Sequence, residues 1–127
     1  RNRAVAAQDG SPDAESARRV AFTVAHSPLV KTAFFGEDAN WGRIVAAAGR
    51  ADVPLDPQQV TLHFGDVCVF KGGKPIEGVD VEEKAAGVFR QKEIPVHLDL
   101  GMGGFDFVAY TCDLSYDYVK INASYRS

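Results

Sequence analysis

The sequence predicts an α+β fold, in which one mainly antiparallel β-sheet is covered by helices. Its segments follow the order helix, helix, strand, strand, helix, strand, strand, helix, without the regular alternation of a parallel α/β protein. Short glycine-containing turns join the neighbouring strand-like runs, as expected for antiparallel hairpins. At 127 residues, the chain (1–127) is expected to be a single domain or a fragment of one.

The first helix is predicted from residues 11–27, SPDAESARRVAFTVAHS. Ser11 is expected to cap it, Pro12 suits the first helical position, and Glu15 places negative charge in the first turn. Pro28 either ends this helix or begins a short new one capped by Ser27. The small apolar residues at helical spacing are Ala14, Ala17, Val20, Ala21, Val24 and Ala25.

A second helix is predicted to open at Asp38 and to end at Gly49, and a third is predicted over about residues 81–91. Asp80 and Glu83 have the spacing of a capping box for the third helix. The expected inward residues are Trp41, Ile44, Val45 and Ala48 on the second helix, and Val81, Ala85, Val88 and Phe89 on the third.

Four strands are predicted, in two pairs. Residues 60–64 and 67–70 flank a Gly-Asp turn, and residues 94–100 alternate apolar and polar before the turn GMGG and the run 105–112. Each pair is expected to form a hairpin. The last segment, 113–127, carries Leu114, Tyr118 and Ile121 at helical spacing before that pattern ends.

Composition excludes several functional classes. The chain is 46% hydrophobic and 24% charged, with a net charge of -3, which argues against nucleic acid and membrane surfaces as partners. His26, His63 and His97 lack the spacing of metal ligands, so no metal site is expected. Cys68 and Cys112 are interpreted as buried reduced thiols of a cytosolic protein, with a disulfide between neighbouring strands as the alternative.

Two segments are rich in polar groups beyond what a scaffold requires. Residues 27–43, SPLVKTAFFGEDANWGR, are compatible either with a capped loop between helices or with part of a site, and composition favours the loop. Residues 116–127, YDYVKINASYRS, place hydrogen-bonding groups at the chain end, where a docked tail can line a pocket. The polar residues of the first segment are Lys31, Thr32, Glu37, Asp38, Asn40 and Arg43.

The stretches SPLVKTAFFGEDANWGRI and TCDLSYDYVKINASYRS closely resemble the C-terminal part of the β chain in the ornithine acetyltransferase family. That family is also called the bifunctional glutamate N-acetyltransferase or ArgJ family. The resemblance extends from about residue 14 to residue 127. It implies the C-terminal portion of the DmpA/ornithine acetyltransferase-like fold.

The resemblance also implies an activity in arginine biosynthesis. Family members cleave themselves before a threonine, and the new N-terminal threonine carries acetyl from N2-acetylornithine to glutamate. No bound cofactor is implied, although acetyl-CoA serves some members as acetyl donor. The implied partners are an α chain and the N-terminal part of the β chain, in an α2β2 assembly in the cytoplasm.

Family motifs match this chain residue by residue at its C-terminal end. N-A-x-Y-R-[ST] aligns with residues 122–127, so the resemblance implies that Asn122 and Ser127 bind substrate. Four residues fall in the other motif without an assignable role: Lys31, Asp38, Asn40 and Arg43. No catalytic residue is expected here, because the nucleophile belongs to upstream sequence. The alternative is a catalytically silent α+β binding or interaction module.

Overall fold

The computed structural model describes the backbone of residues 3–112 and the side chains from residue 10 onward. Residues 113–127, with the helical spacing predicted from Leu114, lie outside the described part. The helices are α1 (Ala14–Ala25), α2 (Pro28–Phe35), α3 (Trp41–Gly49) and α4 (Val79–Phe89), with a 3-10 turn at Pro57–Gln59. The strands are β1 (Arg3–Ser11), β2 (Thr61–Phe64), β3 (Val67–Lys71), β4 (Lys74–Pro75), β5 (Glu93–Asp99) and β6 (Phe105–Cys112).

These strands form one six-stranded sheet in the order β4-β3-β2-β5-β1-β6. Strands β1 and β5 run parallel, and the other pairings, β1–β6, β2–β3, β2–β5 and β3–β4, are antiparallel. The predicted α+β class with a mainly antiparallel sheet is therefore confirmed. The predicted β2–β3 hairpin is present as well.

The second predicted hairpin is wrong, because β1 lies between β5 and β6. Gln8 of β1 is in register with Leu98 on one side and with Phe107 on the other. Residues 3–11, RAVAAQDGS, contain one β-branched residue and three alanines, so local propensity gives little sign of a strand. Residues 3–11 form an interior strand of the sheet because β5 and β6, which are distant in sequence, pair with both of its edges.

The turn GMGG carries the chain across the end of β1 instead of folding it back on β5. The Met102 N–H donates to the Gly10 carbonyl at 2.6 Å, and the Gly101 N–H donates to Asp99 Oδ1 at 2.8 Å. Gly10 and Gly101 both have positive φ angles, 73° and 67°, which favour glycine. The glycines thus allow two backbone segments to approach closely at this crossing.

Helix α1 begins two residues later than predicted, and its cap is Asp13 instead of Ser11. Ser11 is fully buried as the last residue of β1. The Asp13 carboxylate accepts a hydrogen bond from the Ser16 N–H at 2.7 Å, which lowers the pKa of Asp13. The predicted apolar stripe is buried except for Ala14, which is exposed at the first helical position.

Two other helix starts also differ from expectation. Helix α3 begins at Trp41, with Asn40 and not Asp38 at its N-terminus. Helix α4 begins at Val79 after Gly78, without a side-chain cap, so the predicted capping box is wrong. Asp80 already lies inside that helix and cannot occupy the capping position. Ser27 does cap α2, as predicted.

All four helices pack on one face of the sheet, where the main core lies. Phe89 of α4 contacts Phe64 of β2 and Phe34 of α2, with ring centroids 4.7 and 5.5 Å apart. Full burial of each such side chain stabilises the fold by about 1.5–3 kcal/mol. The predicted inward residues of β5 and its end are buried: Ile94, Val96, Leu98 and Leu100. On the opposite face, His63 and His97 are cross-strand neighbours, with ring centroids 6.2 Å apart. This agrees with the prediction that both lie on the solvent face.

A glycine substitution tests the crossing of β1 by the GMGG turn. A methyl group at Gly103 would overlap the carbonyl oxygen of Ser11, whereas one at Gly104 would meet no atom within 4 Å. We expect Gly103→Ala to lower the free energy of unfolding by about 1–3 kcal/mol. Gly104→Ala is the matched control, and urea denaturation measures both. Equal stabilities of the two variants would contradict the crossing.

Candidate functional site

The segment 27–43 forms α2, a tight turn and the start of α3, so it is a capped connection between helices. The Ser27 hydroxyl accepts the Val30 N–H at 3.4 Å and a guanidinium N–H of Arg50 at 3.3 Å. Arg50 lies just beyond α3, so this contact ties the start of α2 to the end of α3. Sequence reasoning identified the cap but not Arg50, since nothing local signals a partner 23 residues away.

The turn between α2 and α3 is held by its own polar groups. Glu37 adopts a positive φ of 55°, which is uncommon for a residue other than glycine. The Asp38 N–H donates to the Ala33 carbonyl at 2.9 Å. The Asn40 side chain accepts the Arg43 N–H at 3.1 Å as the helix cap and donates to Asp38 Oδ2 at 3.2 Å. Asp38 and Asn40 therefore have defined structural roles.

Arg43 joins α3 to α2 through its guanidinium group. Its Nη1 donates to the Leu29 carbonyl at 3.0 Å and lies 3.4 Å from Thr32 Oγ1. The Thr32 hydroxyl in turn donates within α2, 3.0 Å from the carbonyls of both Pro28 and Leu29. The half-buried Arg43 side chain thus fixes the angle between the two helices.

Lys31 differs from the other three motif residues. It is half-buried on α2, and its ammonium group makes no hydrogen bond or ion pair within residues 3–112. Three of the four motif residues therefore support the local structure, and Lys31 alone among them has a charge that the described part of the chain does not use.

The segment also forms one wall of a groove of about 400 Å³. The indole of Trp41 forms part of its floor and packs on Phe70, with ring centroids 5.3 Å apart. The lining residues come from the α2–α3 turn, from β3 and β4, and from α4: Glu37, Asp38, Ala39, Trp41, Val69, Pro75, Ile76, Glu77, Val81, Glu82, Ala85 and Ala86. Sequence analysis did not foresee this combination, because its three walls are distant in sequence.

The groove has the chemistry of a binding surface. Its floor is apolar, and four carboxylates surround it, from Glu37, Asp38, Glu77 and Glu82. Among the described residues, its lining contains no serine, threonine, cysteine, histidine or lysine, so it supplies no hydroxyl or thiol nucleophile and no nitrogen base. Acyl transfer through a hydroxyl or thiol therefore requires groups from outside this groove.

The predicted substrate-binding residues, Asn122 and Ser127, lie outside the described residues, so their positions remain predictions. Cys68 and Cys112 are both free in the structure, so they do not form the disulfide given as the alternative. Their predicted burial is wrong, because Cys68 is half-buried and Cys112 is exposed. Across residues 3–112, no three metal-ligating side chains cluster, and no helix is long and apolar enough to cross a membrane.

Removing the Arg43 guanidinium tests the connection between α2 and α3. We expect Arg43→Ala to destabilise the chain by about 1.5–3 kcal/mol, the range for hydrogen bonds to charged groups. Arg90→Ala is the matched control, since the exposed Arg90 side chain makes no hydrogen bond within the described residues. Chemical denaturation of each variant, and of the double variant with Thr32→Val, measures the coupling. A loss within about 0.5 kcal/mol for Arg43→Ala would contradict the assigned role.

Comparison with known proteins places the chain among longer relatives. The ArgJ protein of Desulfotalea psychrophila, named as an arginine biosynthesis bifunctional protein, is 55% identical over 118 residues. The protein of the same name from Geobacter sulfurreducens is 50% identical over 118 residues. Each match covers 93% of this chain but 30% of the relative, so the chain spans about 30% of their length.

The fold has a solved counterpart as well. The crystal structure of the arginine biosynthesis bifunctional protein from Bacillus halodurans superposes with a TM-score of 0.88 at 32% sequence identity. The superposition covers 98% of this chain and 58% of that one. The family model described as "ArgJ family" matches residues 4–127. The chain therefore belongs to the ArgJ family.

Proposed function

We propose that this chain is the C-terminal, substrate-binding part of a glutamate N-acetyltransferase that moves acetyl from N2-acetylornithine to glutamate. The observation that carries the proposal is the ArgJ family match over residues 4–127. The names of the relatives, which place them in arginine biosynthesis as bifunctional proteins, support it. Because the chain spans about 30% of their length, the activity belongs to a larger assembly.

The proposed chemistry has two acyl-transfer steps. A threonine hydroxyl from outside this chain attacks the acetyl carbonyl carbon of N2-acetylornithine, and the ornithine amine leaves after gaining a proton. The amine of glutamate then attacks the threonine ester, and the threonine oxygen regains its proton. The free amine of an N-terminal threonine serves as the base. Among the described residues, the groove lining holds no hydroxyl side chain, which agrees with a threonine supplied from elsewhere.

In this proposal, the present chain holds the substrate. Asn122 and Ser127 bind the α-amino-acid end of ornithine or glutamate, as the C-terminal family motif implies. The bonded turn around Asp38 and Asn40, together with the Arg43 contact to α2, provides a rigid support. Rigid support matters because a small displacement of a binding group lowers the rate of transfer considerably.

The proposed partners follow from the same family. The chain would assemble with an α chain and the N-terminal part of a β chain as α2β2, in the cytoplasm. No bound cofactor is required for either acyl-transfer step, and acetyl-CoA is a possible second acetyl donor. A bifunctional enzyme would use both donors with one threonine.

The test is acetyl transfer from N2-acetylornithine to glutamate by this chain, produced together with the complementary part of the Desulfotalea psychrophila protein. We expect Asn122→Ala to lower kcat/KM by roughly 5- to 150-fold, since loss of a buried hydrogen-bond partner costs about 1–3 kcal/mol. Ser127→Ala should also lower kcat/KM.

Ser127→Thr is the control, because it keeps the hydroxyl and restores the usual family residue, and it should retain activity. Unchanged kinetics in both alanine variants would remove Asn122 and Ser127 from the substrate site. An assembled complex without any acetyl transfer would contradict the proposed function.

A further inference from the structure

The two edges of the described sheet differ in how well they are protected. At one edge, β4 contains two residues, Lys74 and Pro75. Short length, lysine and proline are the features by which proteins prevent an edge strand from pairing with another strand. This edge therefore has its own protection.

Strand β6 forms the other edge and has none of those features. It is eight residues long, Phe105–Cys112, and it contains neither lysine nor proline. Its inner edge pairs with β1 along nearly its whole length, from Cys112 to Phe107. Within residues 3–112, no strand pairs with its outer edge, so every second residue directs its N–H and C=O groups outward.

The side chains of β6 are also apolar and accessible. Val108 is 47% exposed and Tyr110 is 67% exposed, on the sheet face that none of the helices α1 to α4 covers. Phe105 is 51% exposed at the start of the strand. On the helix-covered face, the half-buried Phe107 packs against Phe22 of α1, with ring centroids 5.3 Å apart. Apolar surface therefore lies on both faces of this edge.

These observations fit a partner strand better than a small ligand. An added strand satisfies the outward backbone groups, and its side chains cover Val108 and Tyr110 on one face and Phe107 on the other. The relatives offer a source for such a strand, because this chain spans about 30% of their length and the rest of the protein is available to pair with it. The superposition on 58% of the Bacillus halodurans chain points the same way.

Resting on the proposed function, we infer that the outer edge of β6 accepts a strand from the part of the ArgJ protein that this chain lacks. The sheet then continues from this chain into its partner. The main-chain hydrogen bonds give affinity, and Val108 and Tyr110 give the contact its apolar area. The β4 edge takes no part.

Amide hydrogen exchange measured by NMR tests the position of this interface. The isotope-labelled chain is measured alone and in complex with the unlabelled complementary part of the Desulfotalea psychrophila protein. Alternate β6 amides should exchange quickly in the free chain and slow by at least about tenfold in the complex. Amides of β4 should show no such change.

Two substitutions test its energetics. Val108→Lys places a charge beside the outer edge of β6 and should weaken the complex by at least about tenfold. Val79→Lys is the matched control, because Val79 is 70% exposed at the start of α4 and belongs neither to β6 nor to the groove. Thermal unfolding of each free variant, followed by circular dichroism, separates lost binding from lost folding. The exchange experiment does not depend on either variant.

Each outcome bears on a different claim. A stable complex whose β6 amides still exchange quickly would contradict this interface and leave the proposed function intact. The β6 amides could instead slow in a concentrated sample of this chain alone, by as much as they slow in the complex. That result would show that a second copy of the chain covers the edge, and it would overturn the inference. Protection in the free chain that disappears when residues 113–127 are deleted would also overturn it. Failure to form any complex would contradict both proposals.

Discussion

The pairing of β1 with β5 on one side and β6 on the other is the contact on which the rest of the sheet depends. Without β1, the meander of β2, β3 and β4 would end at β5, and β6 would have no neighbour. The close approach of Gly10 to the turn at residues 101–103 fixes the position along the sheet at which β1 ends. Helix α1 starts immediately after that strand, so the same pairing also places α1 over β1 and β6.

The connection between α2 and α3 is a second constraint on the structure. Its polar residues are mutually hydrogen-bonded, and they hold Trp41 against Phe70 at the groove floor. This segment, whose composition favours a capped loop over part of a site, is therefore largely a structural support. Lys31 and Glu37 are the exceptions, since neither side chain makes a hydrogen bond or ion pair within residues 3–112. Under the proposed function, rigid support of this kind holds the substrate-binding groups in place.

Sequence patterns correctly predicted those elements whose structure depends on neighbouring residues. The alternation from Ile94 to Leu100 and the cap at Ser27 are encoded by neighbouring residues, and both were correct. Strand β1 was missed because its alanines favour no strand, and pairing with distant segments overrides that preference. The hairpin expected for β5 and β6 failed for the same reason. The contacts of Arg43 with Leu29 and of Arg50 with Ser27 also depend on tertiary packing. The family motif identified the chain, but it could not give these residues their roles.

In the proposed function, this chain completes an acetyltransferase whose nucleophile lies on another polypeptide segment. Intact-mass spectrometry tests it most directly, with the chain and the complementary part of the Desulfotalea psychrophila protein incubated with N2-acetylornithine and no glutamate. We expect one acetyl group on the complementary part, formed only when this chain is present and removed when glutamate is added. An assembled complex that gains no acetyl group, or a complementary part that is acetylated equally well alone, would contradict it.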